Sequence, residues 1–521
     1  MAIAAALASL YRQLLPLATR QNSLKLVTAI VALYVFKYRS HAVGTRRRRD
    51  LKQPKGAVPL LGHMPLMASV NGQELYQFLE KQYNELGPVW SVSLPFLGRM
   101  IQIDTPENLE HVLKTNFWSY EKGPLFAWML GDLVGDGIFT SDGHAWKYQR
   151  RLASHIFNVN AFREYTSDVF VTEGKKVLDY LGKAADEGTI VDFHALMLHF
   201  TLDSFGHVSF GESFGCLDNI EAQVPFAASF DELTEICSER LKDPTWPLRE
   251  RLTSVGKKVQ QHKDVLRSYA LNVIQKRRRE GYSAAKKDLL QLFMEAEDDE
   301  GKPLSEELLV DTILSFSIAG RDTTAQALTW MFYLIYRDGA DKDIAKTLTK
   351  EVDDVLQGRD PTYETHKQQK YAEAWQVNSL ETIFHEALRI YPVAPRNLKV
   401  CIKDDVLPDG TKVYAGEWVT WSSYVMGRSE RIWGPDAKEY KPSRWINVEK
   451  PSQGKFNAFH VGPRVCLGQQ FATIEVMSVI GMILQSFEIS LVEPSKKAQY
   501  GISLTLPMMD GLKIRVKRRS H

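Results

Sequence analysis

Cysteine is scarce: the 521 residues hold four, Cys216, Cys237, Cys401 and Cys466. None stands in a C-x-x-C or metal-knuckle spacing, which argues against a disulfide framework and fits a reducing compartment. The chain contains no N-x-S/T sequon, in keeping with a body that does not face the secretory lumen. It lacks G-x-G-x-x-G and G-x-x-x-x-G-K-[ST], so neither a dinucleotide fingerprint nor a phosphate loop is present. His385-Glu386-Ala387-Leu388 opens like a zinc-protease helix, but Arg389 occupies the second ligand's place. Gly206-His207-Val208-Ser209-Phe210-Gly211 has the wrong spacing for a nucleophile elbow. Acidic residues are absent from residues 1–49, which carry nine Lys/Arg. The remainder holds 56 basic and 63 acidic residues, so the body is mildly acidic and the net charge is only +2. That balance argues against a nucleic-acid partner. No apolar run reaches the roughly 20 residues that span a bilayer.

What is present is ordinary globular material, 44% hydrophobic and 25% charged, ample for a large core. Near the N-terminus, Met1–Ala18 is apolar but interrupted by Arg12 and Gln13, and Leu24–Tyr38 is broken only by Lys25 and Lys37. Arg39 and the block Arg46–Arg49 follow, a positive-inside signal. Residues 1–50 are therefore expected to form a retained membrane anchor with a basic stop-transfer segment, the body lying on the cytoplasmic side of the endoplasmic reticulum. The same acid-free, Arg-containing composition suits a mitochondrial presequence. Residues 51–63, with Pro54, Gly56, Pro59 and Gly62, read as a stiff hinge or equally as a surface loop. No repeat or low-complexity tract divides residues 64–521, which read as a single domain.

The pattern in that domain is mostly helical, with short strands at Val89–Leu94 and Met100–Ile103. Helices are predicted at about Ala145–Phe157, Ser305–Arg337, Ser379–Tyr391 and Gln469–Phe487. Ser305 is a good N-cap, and Glu306 and Glu307 suit the positive end of the helix dipole. Ile313–Ala319 is nearly all apolar, so the middle of this helix must be buried.

The chemistry concentrates in Phe459-His460-Val461-Gly462-Pro463-Arg464-Val465-Cys466-Leu467-Gly468. A cysteine immediately before a long helix gains thiolate stabilisation from the helix N-terminus. Gly462 and Gly468 would let backbone approach a flat ligand, and Arg464 can pair with an acidic group on it. Standing alone, such a cysteine is more often a small buried hydrophobe. The pattern F-x-x-G-x-R-x-C-x-G, however, resembles at every fixed position the haem loop of the cytochrome P-450 monooxygenases.

The resemblance implies a mainly α cytochrome P-450 fold, a helical haem-thiolate domain with small β-sheets, and covers about residues 54–515. It implies haem b with Cys466 as axial thiolate, a ligand that favours O–O cleavage. Phe459 would pack near the sulfur and Arg464 would bind a propionate, while variable His460 has a packing or hydrogen-bonding role. Ala319-Gly320-Arg321-Asp322-Thr323-Thr324 resembles the oxygen-activation segment. Gly320 would leave room over the porphyrin, Thr323 would donate a hydrogen bond there, and Asp322 would feed protons from solvent. The plain alternative for Thr323 is a hydroxyl bonded back to the carbonyl four residues earlier. Trp146 and Arg150, four apart on one helix face, resemble the family's propionate-binding pair. Lys399 is a further propionate candidate, with Arg396 competing. Glu386, Arg389 and Arg444 would form a structural charge network. No flavin or nicotinamide segment remains unassigned, so electrons from NADPH would arrive through a separate NADPH-cytochrome P-450 reductase, with cytochrome b5 as a second candidate donor. Lys147, Arg151 and Lys455 are candidates for that docking face.

Three segments resemble the plant and fungal fatty-acid ω-hydroxylase branch: Phe200–Gly206 with Phe210-Gly211, Val406–Thr411, and Tyr424–Arg428 running to Trp433–Ala437. Ala319 stands where animal fatty-acid hydroxylases often carry a haem-esterifying Glu, so no covalent haem link is expected. Phe126, Trp128, Pro244–Pro247 with Trp246, Ile318 and Ser503–Leu506 are candidate contacts for a lipophilic substrate. These residues suit a sterol, terpene or alkane nearly as well as a long acyl chain. A reductase-independent rearrangement of lipid hydroperoxides is the competing enzyme reading, and a non-catalytic haem protein that binds or senses a ligand is the non-enzymatic one. Intact Asp322, Thr323 and an uninterrupted Cys loop argue against the rearrangement.

Overall fold

The computed structural model describes residues 20–70, 72–156, 160–240, 243, 245–281, 288–298, 301–365, 380–446, 448–501 and 503–520, and side chains from residue 25 onward except 155–164. The Met1–Ala18 stretch, Phe157, Pro244 and Ser379 lie outside the described residues. The helices around the site, numbered in chain order, are α1 (Arg20–Lys37), α2 (Pro124–Val134), α3 (Gly143–Ile156), α4 (Phe193–Phe210), α5 (Pro225–Glu239), α6 (Glu306–Tyr336), α7 (Leu380–Ile390) and α8 (Gln469–Ser486). The strands are β1 (Val89–Leu94), β2 (Gly98–Ile103), β3 (Tyr120–Glu121), β4 (Val191–Asp192), β5 (Asn397–Cys401), β6 (Asp405–Val406), β7 (Lys412–Val413), β8 (Trp418–Trp421), β9 (Phe487–Leu491) and β10 (Lys513–Arg518). The expected mainly helical architecture with small sheets is what the chain adopts.

Helix α6 runs through the middle. Ser305 caps it, its side chain accepting from the Leu308 N–H at 3.2 Å, and its 31 residues extend about 46 Å at 1.5 Å per residue. From Leu309 to Ile335 nearly every side chain is buried, whichever way it points. A helix with apolar residues all round is stable only when surrounded, and α4, α7 and α8 pack on it, together with Val255–Glu280. The largest sheet has the order β1-β2-β8-β5-β3, with β2 and β8 parallel and the other pairs antiparallel. The second has the order β4-β10-β9, and β6 with β7 makes a two-stranded hairpin.

The N-terminal segment departs from a free tether. Among the described residues no helix is long and apolar enough to cross a membrane. Helix α1 nevertheless exposes Leu26, Val27, Ile30, Val31, Leu33, Tyr34 and Phe36. Beyond it the chain is knit to the body rather than hinged. Ala42 N–H donates to Ser93 Oγ at 3.1 Å and Val43 N–H to Leu60 O at 2.8 Å. Arg48, part of the basic block, is buried and ion-paired with Glu417 at 2.6 Å. Gly62 has φ +55°, and a Cβ there would lie 2.4 Å from Ser93 O, so its glycine serves close packing.

Candidate cofactor and active site

The Cys466 loop folds on itself before α8 begins. Val465 N–H donates to Gly462 O at 3.0 Å and Cys466 N–H to Phe459 O at 2.8 Å. Gly462 takes φ +67°, and a Cβ there would meet Leu113 O at 2.1 Å. Its close approach in the fold is to the neighbouring Leu113 backbone. Gly468 is different: a Cβ would meet only Cys466 Sγ, at 3.9 Å, and its backbone N–H bonds the sulfur. All four cysteines are free, and Cys466 alone is exposed. Yet burial pushes its thiol up, against the Gly468 amide and the Arg150 charge.

Around this thiol the fold assembles buried cations. Strand alternation turns Lys399 of β5 to the buried side, where it is 1% exposed and its Nζ has no hydrogen-bond partner. Arg464 donates to Ser141 O at 3.0 Å and Asp142 Oδ1 at 2.6 Å, while its Nε is unpartnered. Its guanidinium lies 4.3 Å from the Trp146 ring centre. Arg150 is half-buried and senses Cys466. Lys122, which no sequence signal singles out, completes the group; it sits two residues before Pro124 of α2, and its Nζ lies 4.6 Å from the Phe126 ring centre. Burial and then the neighbouring Arg464 charge drive Lys399 well below the usual lysine range and Lys122 down to about 7. Burial takes Arg464 down to about 10. Asp142 and Glu121 are the carboxylates that oppose this repulsion. Arg396, the competing candidate, is held below the usual arginine range by burial, and its Nε, like Lys399 Nζ, has no hydrogen-bond partner. His460, lowered to about 3 by burial and by Lys399, is neutral, with Nδ1 3.1 Å from Val461 O. Phe459 packs at the edge of the main core.

On α6, Thr323 Oγ1 donates to Ala319 O at 2.6 Å. Asp322 is buried and pushed up to about 6 by that burial, against the pull of Arg321. Arg321 reaches both Asp322, at 3.1 Å, and the half-exposed Asp231 of α5, at 2.5 Å. A chain of charged groups thus leads from solvent to Asp322. At Gly320 a Cβ would fall 2.0 Å from Phe205 of α4. The glycine therefore admits the packed helix α4.

The predicted charge network is assembled, with Glu386 and Arg389 buried and Arg444 partly so. Arg389 donates from Nε to Glu386 Oε2 and from Nη2 to Oε1, both at 2.7 Å. Trp445 Nε1 adds a donation at 2.9 Å, and Arg444 Nε approaches Glu386 at 3.4 Å. Arg389 also bonds Ala437 O at 2.6 Å and Glu439 O at 2.8 Å, tying α7 to the irregular chain before the Cys loop. The substrate candidates divide. Phe126, Ile318 and Leu504 share one apolar cluster. Trp128 and Trp246 pair at 4.8 Å. Leu506 is fully buried in the main core, its carbonyl accepting from Trp330 at 2.8 Å.

A mainly helical body with an accessible thiol near buried cations that keep unpartnered donors, Lys399 Nζ and Arg464 Nε, suits a class of proteins that hold an acidic, thiol-ligated cofactor in their core. Residues 52–508 match the cytochrome P450 family, and the chain belongs to it. The chain is 34% identical to a cytochrome P450 monooxygenase of Mycosarcoma maydis, over 97% of its own length and 82% of the relative's. With cytochrome P450 94B3 of Arabidopsis thaliana the identity is 35%, over 89% and 91% of the two chains. With cytochrome P450 704B1 of the same plant it is 33%, over 91% and 96%. The protein is a cytochrome P450 monooxygenase, an oxidoreductase. The family implies a haem-thiolate centre, O2, a redox partner and a lipophilic substrate. The residues present fit such a group: the Cys466 thiol is free and accessible, and Lys399 Nζ and Arg464 Nε are orphaned donors suited to carboxylates.

Proposed function

We propose that the enzyme hydroxylates the terminal carbon of a long-chain fatty acid, consuming O2, NADPH and a proton and releasing the ω-hydroxy acid, water and NADP+. The observation that carries this substrate assignment is the set of branch-like segments, Phe200–Gly206, Val406–Thr411 and Tyr424–Arg428. Similarity to plant and fungal relatives over most of the chain supports it. The bound haem would supply O2 activation and the oxidising power for the C–H bond. Cys466 would hold it from one side, with the Gly468 N–H bonded to the sulfur. Arg464, Arg150, Lys399, Trp146 and the added Lys122 would bind its propionates, and Phe459 would pack beside the sulfur. Asp322, its carboxyl pushed up to about 6, takes up and releases protons, Arg321 holds it in place by bridging it to the solvent-facing Asp231, and Thr323 positions the proton at the site.

A terminal C–H bond is stronger than its in-chain neighbours, so reactivity alone favours oxidation within the chain. Terminal oxidation needs a channel that presents the methyl end and withholds the adjacent carbons, and such positioning is a usual source of selectivity. Phe126, Ile318 and Leu504 supply apolar walls. Each buried CH2 contributes about 0.8 kcal/mol, so affinity should rise with chain length until the channel fills. Electrons come from a separate reductase docking near Lys147, Arg151 and Lys455. Helix α1, with apolar side chains exposed all round, attaches the enzyme to the endoplasmic reticulum membrane, the body facing the cytoplasm.

The test is incubation with reductase, NADPH and saturated acids of graded length, locating the hydroxyl by mass spectrometry. Terminal products are expected. Mainly in-chain products would overturn the ω assignment, and turnover of a sterol with no turnover of any acid would overturn the substrate class.

A further inference from the structure

Between α1 and β1 the chain folds onto the edge of the large sheet and closes a cleft of about 370 Å³, lined by His41, Arg47, Arg48, Arg49, His63 and Arg99 among others. Two of these residues are fully used. Arg48 donates to Asp50 from Nε at 2.9 Å, to Glu417 from Nη1 at 2.6 Å, and from Nη2 to Asp50 at 2.6 Å and Lys412 O at 2.7 Å. His63 Nδ1 accepts from Ser93 N–H at 3.2 Å, which leaves its Nε2 to donate to Pro54 O at 3.2 Å.

The others are not. Arg99 is 2% exposed and donates from Nη1 to Ser91 Oγ at 2.8 Å and from Nη2 to Arg46 O at 3.0 Å. Its Nε has no hydrogen-bond partner, the Glu417 carboxylate standing off at 3.9 Å. His41 is 4% exposed, and its Nδ1 is likewise unpartnered. Arg47 and Arg49 reach the cleft from the exposed side. Buried polar groups are almost always hydrogen-bonded; Arg99 Nε has only Glu417 Oε1, at ion-pair distance and itself without a hydrogen-bond partner, and His41 Nδ1 has none, so the cleft leaves room for a further acceptor. Four guanidiniums line the space, and of the nearby carboxylates Asp50 is held by Arg48, while Glu417 gives Oε2 to Arg48 and turns its otherwise unpartnered Oε1 to Arg99 at 3.9 Å.

We propose that this cleft binds a phosphate group. A tetrahedral oxyanion presents acceptors in several directions at once, matching Arg99 Nε, His41 Nδ1 and the forked donors of Arg47 and Arg49. The chemistry is shared by a phospholipid headgroup and by soluble phosphate. The position favours the headgroup, because the lining begins at Ser40, three residues after the apolar α1 ends at Lys37.

The experiment uses the full-length holoenzyme in two arms, calorimetric titration with inorganic phosphate and co-sedimentation with phosphatidylcholine vesicles with and without phosphatidic acid. Arg47→Gln/Arg49→Gln and His41→Asn are compared with Arg515→Gln, an exposed arginine of β10 remote from the cleft. The reduced carbonyl spectrum of each variant reports intact folding. Binding in either arm should weaken about tenfold in the double variant, weaken in His41→Asn, and stay unchanged in Arg515→Gln. A preference for phosphatidic acid vesicles identifies the headgroup, and binding of inorganic phosphate alone identifies a soluble source. No binding in either arm, or equal losses in Arg515→Gln and the double variant, would overturn the proposal.

Discussion

Thr323 holds two roles in one hydroxyl: it bonds back to Ala319 O at 2.6 Å and stands beside the buried Asp322. If it positions protons, Thr323→Ala should keep haem and substrate binding but lower product per NADPH roughly tenfold or more, releasing hydrogen peroxide. Unchanged coupling would reduce Thr323 to a helix hydroxyl. Glu475 of α8 offers a separate check on burial. It is fully buried, accepts from Ser204 Oγ at 2.5 Å and is pushed up to about 8. Between the ordinary carboxylate range and pH about 8 the folded protein thus keeps a proton that the unfolded chain has released. Stability should decline as pH rises through that window. Glu475→Gln, neutral throughout, should flatten the decline in Tm between pH 6 and 9; an identical slope would mean that Glu475 is ionised in the fold. At this scale Cys466 and Arg464 were legible because their spacing is specific. Lys122 and Glu475 were not, since a lone Lys or Glu carries no pattern and only burial singles them out.

Helices and strands were legible where periodicity or capping marks them. Ser305 caps α6 as expected, and β1 spans the expected Val89–Leu94. The pairing of β2 with β8 was not, because Ile101 meets Val419 across more than three hundred residues of chain and side-chain period alone names no partner. Glycines show the same limit. Gly320 signals a close approach without saying to what, and the answer is Phe205. Gly320→Ala should therefore overpack the α4–α6 contact and cost about 1–3 kcal/mol, seen as a lower Tm. Combining it with Phe205→Ala should restore part of the loss. Strictly additive losses would show that the space at Gly320 serves something other than this helix crossing.

Across the whole molecule, the charge asymmetry first suggested an N-terminal appendage and an independent body. In the structure the segment before residue 51 makes contacts with the body. Arg48 is drawn inside by Glu417, and Ala42, Leu60 and Gly62 bond or pack against their neighbours. Composition cannot reveal this, because a buried arginine and a stop-transfer arginine look alike until the partner carboxylate is found. The family match, by contrast, spans residues 52–508 and agrees with the reach of the motifs. Everything proposed for the enzyme rests on Cys466 as the haem ligand. The most direct measurement is the absorption spectrum of the reduced protein under carbon monoxide. The wild type should give the red-shifted Soret band of a thiolate adduct, and Cys466→Ser should lose that band even where haem is retained. A Cys466→Ser protein that keeps the thiolate band would contradict the account.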